Sequence, residues 1–592
     1  MLFFAAYDDD GLAKQWPLRH ARVMGPEEVA IPGEVRLERG LIRCERRSDG
    51  VGAVMLQFPV GALDGANEPT GTTTLLTMRT CLLPQRTTPY LLSLELARHR
   101  LMLILNKLEE WAFFDLPSDD PVMVMIEQTR QAFTTALLSQ NAGVAGAGAG
   151  AGAGVAGGGG GAGGWYSLEA DKAARKALAL GVKTSEELAK RQAQKQHSRR
   201  ISGELAKAAA LVMPDNAITD HEARMSREAW LGSPGLLLPE MPLVGCAINP
   251  LVQTPDLQNT VLATCDFVTL PMRWLDMEPT EGKYAFTKTD KWIEWAVRTA
   301  KLPVWAGPII DLRPGCVPDF LYIWEHDYET LRDVVAEHVK NVVTRYRRAV
   351  STWVVASGLP CSSVFKLGYE QVLDLTRMCV MLVRKLSPSA KVVIEIAQPW
   401  GEYSGGNVAG TNVRNIPPVL YGELMNQLGL SVDMLGVRLQ MGQNLPGRST
   451  RDAMAASHLL DRLAALDKPI AITAMGAPSR FVASAHVEDD SGPTEDDDVP
   501  APQTMADAGA WHSPWSPESQ AEWVATFGAI AAGKPFVHSI CWQDLYDAEI
   551  SQSGEMPGGA ICAGPPALEQ KPAAKALGNL RAMMKEKRPT LF

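Results

Sequence analysis

Four carboxylates fall at or just beyond short apolar runs, where a layered fold would hold them near one rim. Asp311 ends the run from Pro303 to Ile310, Glu370 follows the run from Ser351 to Ala356, Glu395 lies inside Val392 to Ala397, and Glu402 follows in PWGEY. Acids gathered in this way have general acid and base chemistry within reach. No spacing pairs any two of them. Each also has a plain structural reading: Glu370 as a charge at a helix start, Asp311 as a loop or cap acid, Glu395 as a buried partner for a basic side chain. Arg438 is the natural candidate for that partner, because an inward arginine in a strand must be paired and its flat fork suits a carboxylate. Ser357 beside Gly358 lacks an identifiable histidine and acid, so a serine nucleophile has no support. The histidines are dispersed, and none is assigned to a metal or to catalysis.

The elements that would position these acids begin at Pro242, where short apolar runs alternate with amphipathic stretches, as parallel strands covered by helices do. Strands are predicted at Leu243 to Ile248, Cys265 to Thr269, Pro303 to Ile310, Ser351 to Ala356, Val392 to Ala397, Val432 to Leu439, Ile470 to Thr473 and Val537 to Trp542. Helices fit at Asp290 to Ala300, Tyr328 to Tyr346, Tyr369 to Leu386, Arg451 to Leu466, Pro517 to Ala532 and Pro572 to Met584. The fold class is α/β: a (β/α)8 TIM barrel in the carboxyl-terminal half, with any site at the carboxyl ends of its strands.

Ahead of the barrel the chain is expected to carry an α+β domain. Glu34 to Glu45 and Val51 to Val60 read as strands joined by a hairpin at Ser48, Asp49 and Gly50, because Asp-Gly supplies the positive φ of a tight turn. Leu91, Leu94, Leu101, Leu105 and Leu108 repeat at near-helical spacing, which predicts a helix from Tyr90 to Glu110 with Arg98, His99 and Arg100 on other faces. A second helix is predicted over Pro121 to Leu138, and an exposed one over Ser167 to Leu211, where Ala, Lys, Glu and Gln abound. The low-complexity Gly/Ala run buries too little surface to offset ordering entropy and reads as a flexible linker. These features divide the chain into 1–140 (hairpin plus helices), 141–164 (linker), 165–235 (helical connecting segment) and 236–592 (barrel). The acidic, Pro- and Gly-containing stretch from Val487 to Pro500 reads as a solvated loop.

At 592 residues the chain is longer than one core usually organises. A net charge of -10 offers no basic stripe for nucleic acid and is repelled by anionic lipid, so neither nucleic acid nor a membrane is an expected partner. Nine cysteines lie singly, without metal-ligand spacing, which points to buried thiols and to no metal or other cofactor. MLFFAAYDDD carries no positive leader, and no run reaches the roughly 18 apolar residues of a spanning helix, so the expected location is the cytoplasm. Oligomeric state is left open.

Several barrel segments go further. FVTLPMRW (267–274) followed by MEPTEGKYAF and Asp290, DMLGVRLQ (433–440), KPIAITAM (468–475), and CWQDLYD with QKPAAKAL (541–547, 570–577) resemble, in content and order, glycoside hydrolase family 10, the endo-1,4-β-xylanases. The resemblance spans about Gly245 to Leu580. It implies a carbohydrate ligand, a β-linked polysaccharide or oligosaccharide, and a retaining mechanism with two carboxyl groups about 5 Å apart.

Carried over position by position, the resemblance puts Ser357 and Gly358 where the family has its acid/base, and Ala474 where it has its nucleophile. Alanine cannot trap an oxocarbenium centre. The family's residues after strand three become Gly307 and Asp311, and its strand-six histidine becomes Gln440. Trp274, Arg273 in place of lysine, and Trp542 remain as sugar-holding candidates, with Trp400 a possible wall beside Glu402. The resemblance therefore implies a xylanase-like carbohydrate-active protein. Either its acid pair has been rebuilt from Glu395 and Glu402, or it is a pseudoenzyme, a non-catalytic glycan-binding or scaffolding protein.

Overall fold

Val35, Leu37, Ile42 and Cys44 alternate with charged residues, and in the computed structural model this period of two becomes a hairpin. The structure describes residues 1–18, 20–46, 50–65, 67–147, 166–205, 238, 240–361, 364–405, 415–480, 508–548 and 558–585. Eight amino-terminal strands are β1 (Leu2–Ala5), β2 (Arg22–Met24), β3 (Ala30–Ile31), β4 (Gly33–Glu38), β5 (Leu41–Arg46), β6 (Ala53–Leu63), β7 (Pro69–Arg79) and β8 (Tyr90–Leu91). They form two four-stranded sheets, β4-β5-β1-β8 and β3-β2-β6-β7. The expected hairpin across Ser48 to Gly50 is corrected, since β5 and β6 belong to different sheets and Arg47 to Asp49 lie outside the described residues. The tight turn sits instead at Arg39 and Gly40, both with positive φ, and joins β4 to β5.

Three helices follow: α1 (Leu92–Glu110), α2 (Pro121–Ala147) and α3 (Leu168–Ile201). The first begins after Tyr90 and Leu91 because those two residues pair with β1. Helix α2 runs on into the Gly/Ala segment through Ala147, since extending an existing helix carries no nucleation cost and alanine is the best helix former. The rest of that segment lies outside the described residues, as do 206–237 and the acidic stretch 487–500. The exposed helix expected after the linker is corrected most sharply. Ala170, Ala174, Ala177, Leu178, Leu188, Ala189 and Ala193 of α3 are all buried, and α3 packs on α1, on α2 and on the barrel. Small side chains permit that approach: a Cβ on Gly181 would stand 2.8 Å from Arg100 Cγ.

The barrel strands are β9 (Leu243–Ala247), β10 (Phe267–Leu270), β11 (Val304–Ala306) with β12 (Ile310–Asp311), β13 (Val350–Ser357), β14 (Lys391–Ile396), β15 (Met434–Gln440), β16 (Ile470–Gly476) and β17 (Val537–Trp542). All pairings among them are parallel, and β17 pairs with β9 while β11 pairs with β13, so the sheet closes with β11 and β12 sharing the third stave. The helices are α4 (Pro255–Thr264), α5 (Thr287–Glu294, continued by a π turn, Trp295–Ala300), α6 (Tyr328–Tyr346), α7 (Tyr369–Leu386), α8 (Pro418–Gln427), α9 (Ala453–Ala464), α10 (Pro517–Gly533) and α11 (Pro572–Met584). This is the expected (β/α)8 barrel behind an α+β region. Ala247, Phe267, Trp305, Val354, Val393, Met434, Ala471 and Cys541 pack together as its inner plug, so it is a filled core with a usable rim and no pore.

Buried charges tie α1 and α3 to the barrel flank. Arg100 reaches Asp452 through two hydrogen bonds of 2.8 and 2.6 Å, and Lys107 and Lys534 share Asp461 at 2.6 and 2.7 Å. Glu186 accepts from the Ala453 amide, from Trp511 Nε1 and from His512 Nε2. Arg100, on a face away from the leucine repeat, is buried too, because α1 packs on other helices and on the barrel. All nine cysteines are free thiols, seven buried, with Cys316 and Cys361 half-buried. Among the described residues no helix is long and apolar enough to cross a membrane.

Candidate ligand site at the barrel mouth

Strand β14 carries Glu395 inside the ring, where its backbone flanks the side chain that Gly436 lacks on the neighbouring strand. Its Oε1 accepts from Ser357 Oγ at 2.5 Å and from Arg438 Nη1 at 3.1 Å. The pair with Arg438 expected from the sequence is therefore formed, across β14 and β15. Next to it, Asp311 at the end of β12 accepts from Arg313 Nε at 2.8 and 3.1 Å, from Arg313 Nη2, and from the Arg313 amide at 3.1 Å. Burial alone would push the Asp311 carboxyl up, but the charge and hydrogen bonds of Arg313, with the charge of Arg438, hold it below the usual carboxylate range. Burial likewise opposes the Arg313 cation, and Asp311 overrides it. Arg313 escaped the sequence reading; its one signal was a position two residues beyond Asp311, where a chain leaving a strand can fold a fork back onto an acid.

Gly358 follows β13 directly with φ +66, and a Cβ there would stand 2.7 Å from Arg313 Cγ and 3.0 Å from Asp311 Oδ1. The place that the resemblance gives to an acid/base is thus filled by the Arg313 stem. Ala474 lies in β16, buried, in register with Arg438 across an irregularity of the ladder.

A cavity of about 480 Å³ opens beside this cluster, at the carboxyl ends of β9, β10, β12 and β17. Asn249, Arg273, Asp311, Arg313, Arg438 and Asp544 are among its charged and polar lining residues, with Asp276, Lys288 and Gln543. Arg273 lines it while bonded to Asp276 at 2.7 and 2.8 Å. Gln440 lies nearby and donates to Gln543 Oε1 at 2.5 Å, Gln543 being itself a lining residue.

The other sequence candidates lie elsewhere. Trp274 is buried, stacked on His338 with ring centres 4.2 Å apart, and donates to Glu278 Oε2 at 2.9 Å. Trp542 is buried, donates to Gly559 O at 2.9 Å and meets Trp523 edge-on. Neither ring leaves a face for a pyranose, because each anchors a loop to the barrel wall. Glu402 is buried and held by Arg451 and by the Gly447 amide at 2.6 Å, and the Arg451 guanidinium stacks 4.1 Å over Trp400. Glu402 and Trp400 thus belong to a loop-to-loop anchor. Glu370 is exposed in the first turn of α7.

A general acid must hold and release a proton, and both acids at the centre are engaged as acceptors by arginine or serine donors. The cavity is built to offer hydrogen bonds and paired charges. The fold and rim define a closed (β/α)8 barrel with an arginine–carboxylate mouth. Residues 239–359 of it, β9 through β13, match the family model described as glycosyl hydrolase family 10, a stretch that includes FVTLPMRW and MEPTEGKYAF; Gly358 falls inside the matched stretch and Ala474 outside it.

Among solved structures, xylanase 10B from Thermotoga petrophila RKU-1 in complex with xylobiose is 17% identical, with 58% of this chain and 94% of that one covered and a TM-score of 0.40. A GH10 protein from Paenibacillus barcinonensis is 18% identical, with 58% and 95% covered and a TM-score of 0.40. An intracellular xylanase from Thermoanaerobacterium saccharolyticum is 14% identical, with 57% and 95% covered and a TM-score of 0.39. Likeness at this level carries no weight beside the strand order of the barrel itself.

Proposed function

We propose that the barrel mouth binds a β-linked oligosaccharide without cleaving it, in the cytoplasm. The reading is supported by the family 10 match over the first staves and by the polar cavity above them. The single observation that carries the non-catalytic part is the engagement of Glu395 by Ser357 and Arg438, next to an Asp311 pinned in its charged form by Arg313. Loss of general acid catalysis alone costs roughly 10²- to 10⁴-fold in rate. With Trp274 and Trp542 buried, recognition falls to hydrogen bonds donated by the side-chain amides of Asn249 and Gln543 and accepted by Asp544. The test is calorimetric titration with xylo-oligosaccharides alongside a reducing-sugar assay on xylan. Binding without product is expected. Steady product release that disappears in Glu395→Gln overturns the non-catalytic reading.

A further inference from the structure

The described parts of the loops that follow β14 and β15 are not open to line a groove, because the amino-terminal sheets sit against them. Arg22 Nε donates to Glu402 O at 3.3 Å, and Ser404 Oγ donates to Ala30 O at 3.1 Å. His20 Nε2 meets Asn444 Oδ1 at 2.6 Å, the Thr77 amide donates to Thr450 O at 2.8 Å, and Thr77 Oγ1 donates to Ser449 Oγ at 2.7 Å. Asn444, Ser449 and Thr450 are all buried. Beyond β16 the contact continues: Gly509, with φ +74, passes so close to the Leu75 carbonyl that a side chain at 509 would strike it. The described parts of the rim over staves five to seven are thereby covered, and one tryptophan there, Trp400, spends one face on Arg451.

The cavity lies mainly on the other side, over staves eight, one, two and three, with Arg438 of stave six at its inner edge. Its volume of about 480 Å³ falls within the roughly 300–1,000 Å³ of sites that enclose a small ligand. A polymer bound by its middle needs a trough open at both ends. Here the rim across the mouth from the cavity is packed, hydrogen-bonded chain.

We propose that the mouth is a dead-end pocket that takes a glycan terminus or a short oligosaccharide, with the amino-terminal sheets as the wall that excludes an internal stretch of polymer. The inference rests on the glycan-binding reading above and adds the ligand's length and the part of it that is bound. It also gives the amino-terminal region a role: it determines what length of ligand the barrel admits.

Titration of the full chain with xylobiose through xylohexaose, and with soluble xylan of known chain length, tests it. The expected result is an affinity that levels off within about twofold beyond the trimer, and one protein bound per xylan chain. Leu275→Trp, which fills the cavity from its edge, is expected to weaken every length by about tenfold or more while the protein melts as a folded chain. An affinity that climbs with each residue up to the hexamer, or several proteins per chain, overturns the dead end and leaves glycan binding standing. No binding of any oligosaccharide overturns the reading beneath it, and this inference with it.

Discussion

Arg438 and Glu395 face each other across neighbouring strands at the centre of the mouth, 3.1 Å apart and both buried. Removing one partner of such a pair leaves a stranded charge and costs roughly 3–5 kcal/mol, whereas replacing both with apolar residues of similar size is often neutral. Arg438→Met is therefore expected to destabilise the protein by about 3–5 kcal/mol in urea unfolding, and Arg438→Met with Glu395→Leu to recover most of that. A single variant as stable as the parent would show that the pair is relaxed by solvent.

The same reasoning applies where the helices meet the barrel. Arg100 and Asp452 are buried and doubly bonded, and Asp452 also caps α9 by accepting from the Ala455 amide at 3.2 Å. Arg100→Met is expected to lower stability by about 3 kcal/mol or more. Hydrogen exchange should rise at the start of α9. Exchange that rises only within α1 would place the loss in the helix itself.

How much of this was legible in the residues differs by element. The staves were, because strands buried on both faces read as continuous apolar runs, and Val537–Trp542 is found as expected. The split third stave was not: the chain leaves the ladder at Gly307 and rejoins it at Ile310, which an apolar run does not betray. Burial of α3 was hidden because alanine serves equally in an exposed helix and at a close helix contact. At the site, the Arg438 pairing was legible from an inward charge that needs a partner. Arg451, which claims Glu402 from 49 residues away, was not, since no local pattern links two loops on adjacent staves.

Two histidines give opposite pH dependences. Burial lowers His512, but the hydrogen bond and charge of Glu186 outweigh it and raise the folded value above the ordinary 6.5 or so. Its contribution is complete below about 6.5 and is lost as pH rises through the raised folded value. His538 is pushed down to about 4, first by burial and then by Lys391, so the unfolded chain binds its proton first and stability falls as pH drops from about 6.5 toward 4. Urea unfolding from pH 4 to 9 is expected to lose its acid-side slope partly in His538→Phe and its alkaline-side slope partly in His512→Gln. Unchanged slopes in both would show that neither histidine reports folding.

Placing a glutamate at position 358, where the resemblance would put an acid/base, is not expected to confer hydrolysis. Gly358 holds φ +66, a region costly for other residues, and its missing Cβ faces Arg313 Cγ at 2.7 Å and Cδ at 2.9 Å. Gly358→Glu must displace the Arg313 stem, which uncouples Asp311 from its cation, and overpacking of this kind costs roughly 1–3 kcal/mol before any charge effect. The expected outcome is a lower melting temperature with no release of sugar from xylan. Adding Arg313→Ala removes the collision but strands Asp311, so stability is not regained; adding Asp311→Asn as well removes the stranded charge and is expected to recover part of it. A Gly358→Glu variant as stable as the parent would show that the Arg313–Asp311 pair yields easily and that the mouth is open to an acid on β13. The melting series therefore reports directly on whether the Arg313–Asp311 pair yields to a side chain at position 358.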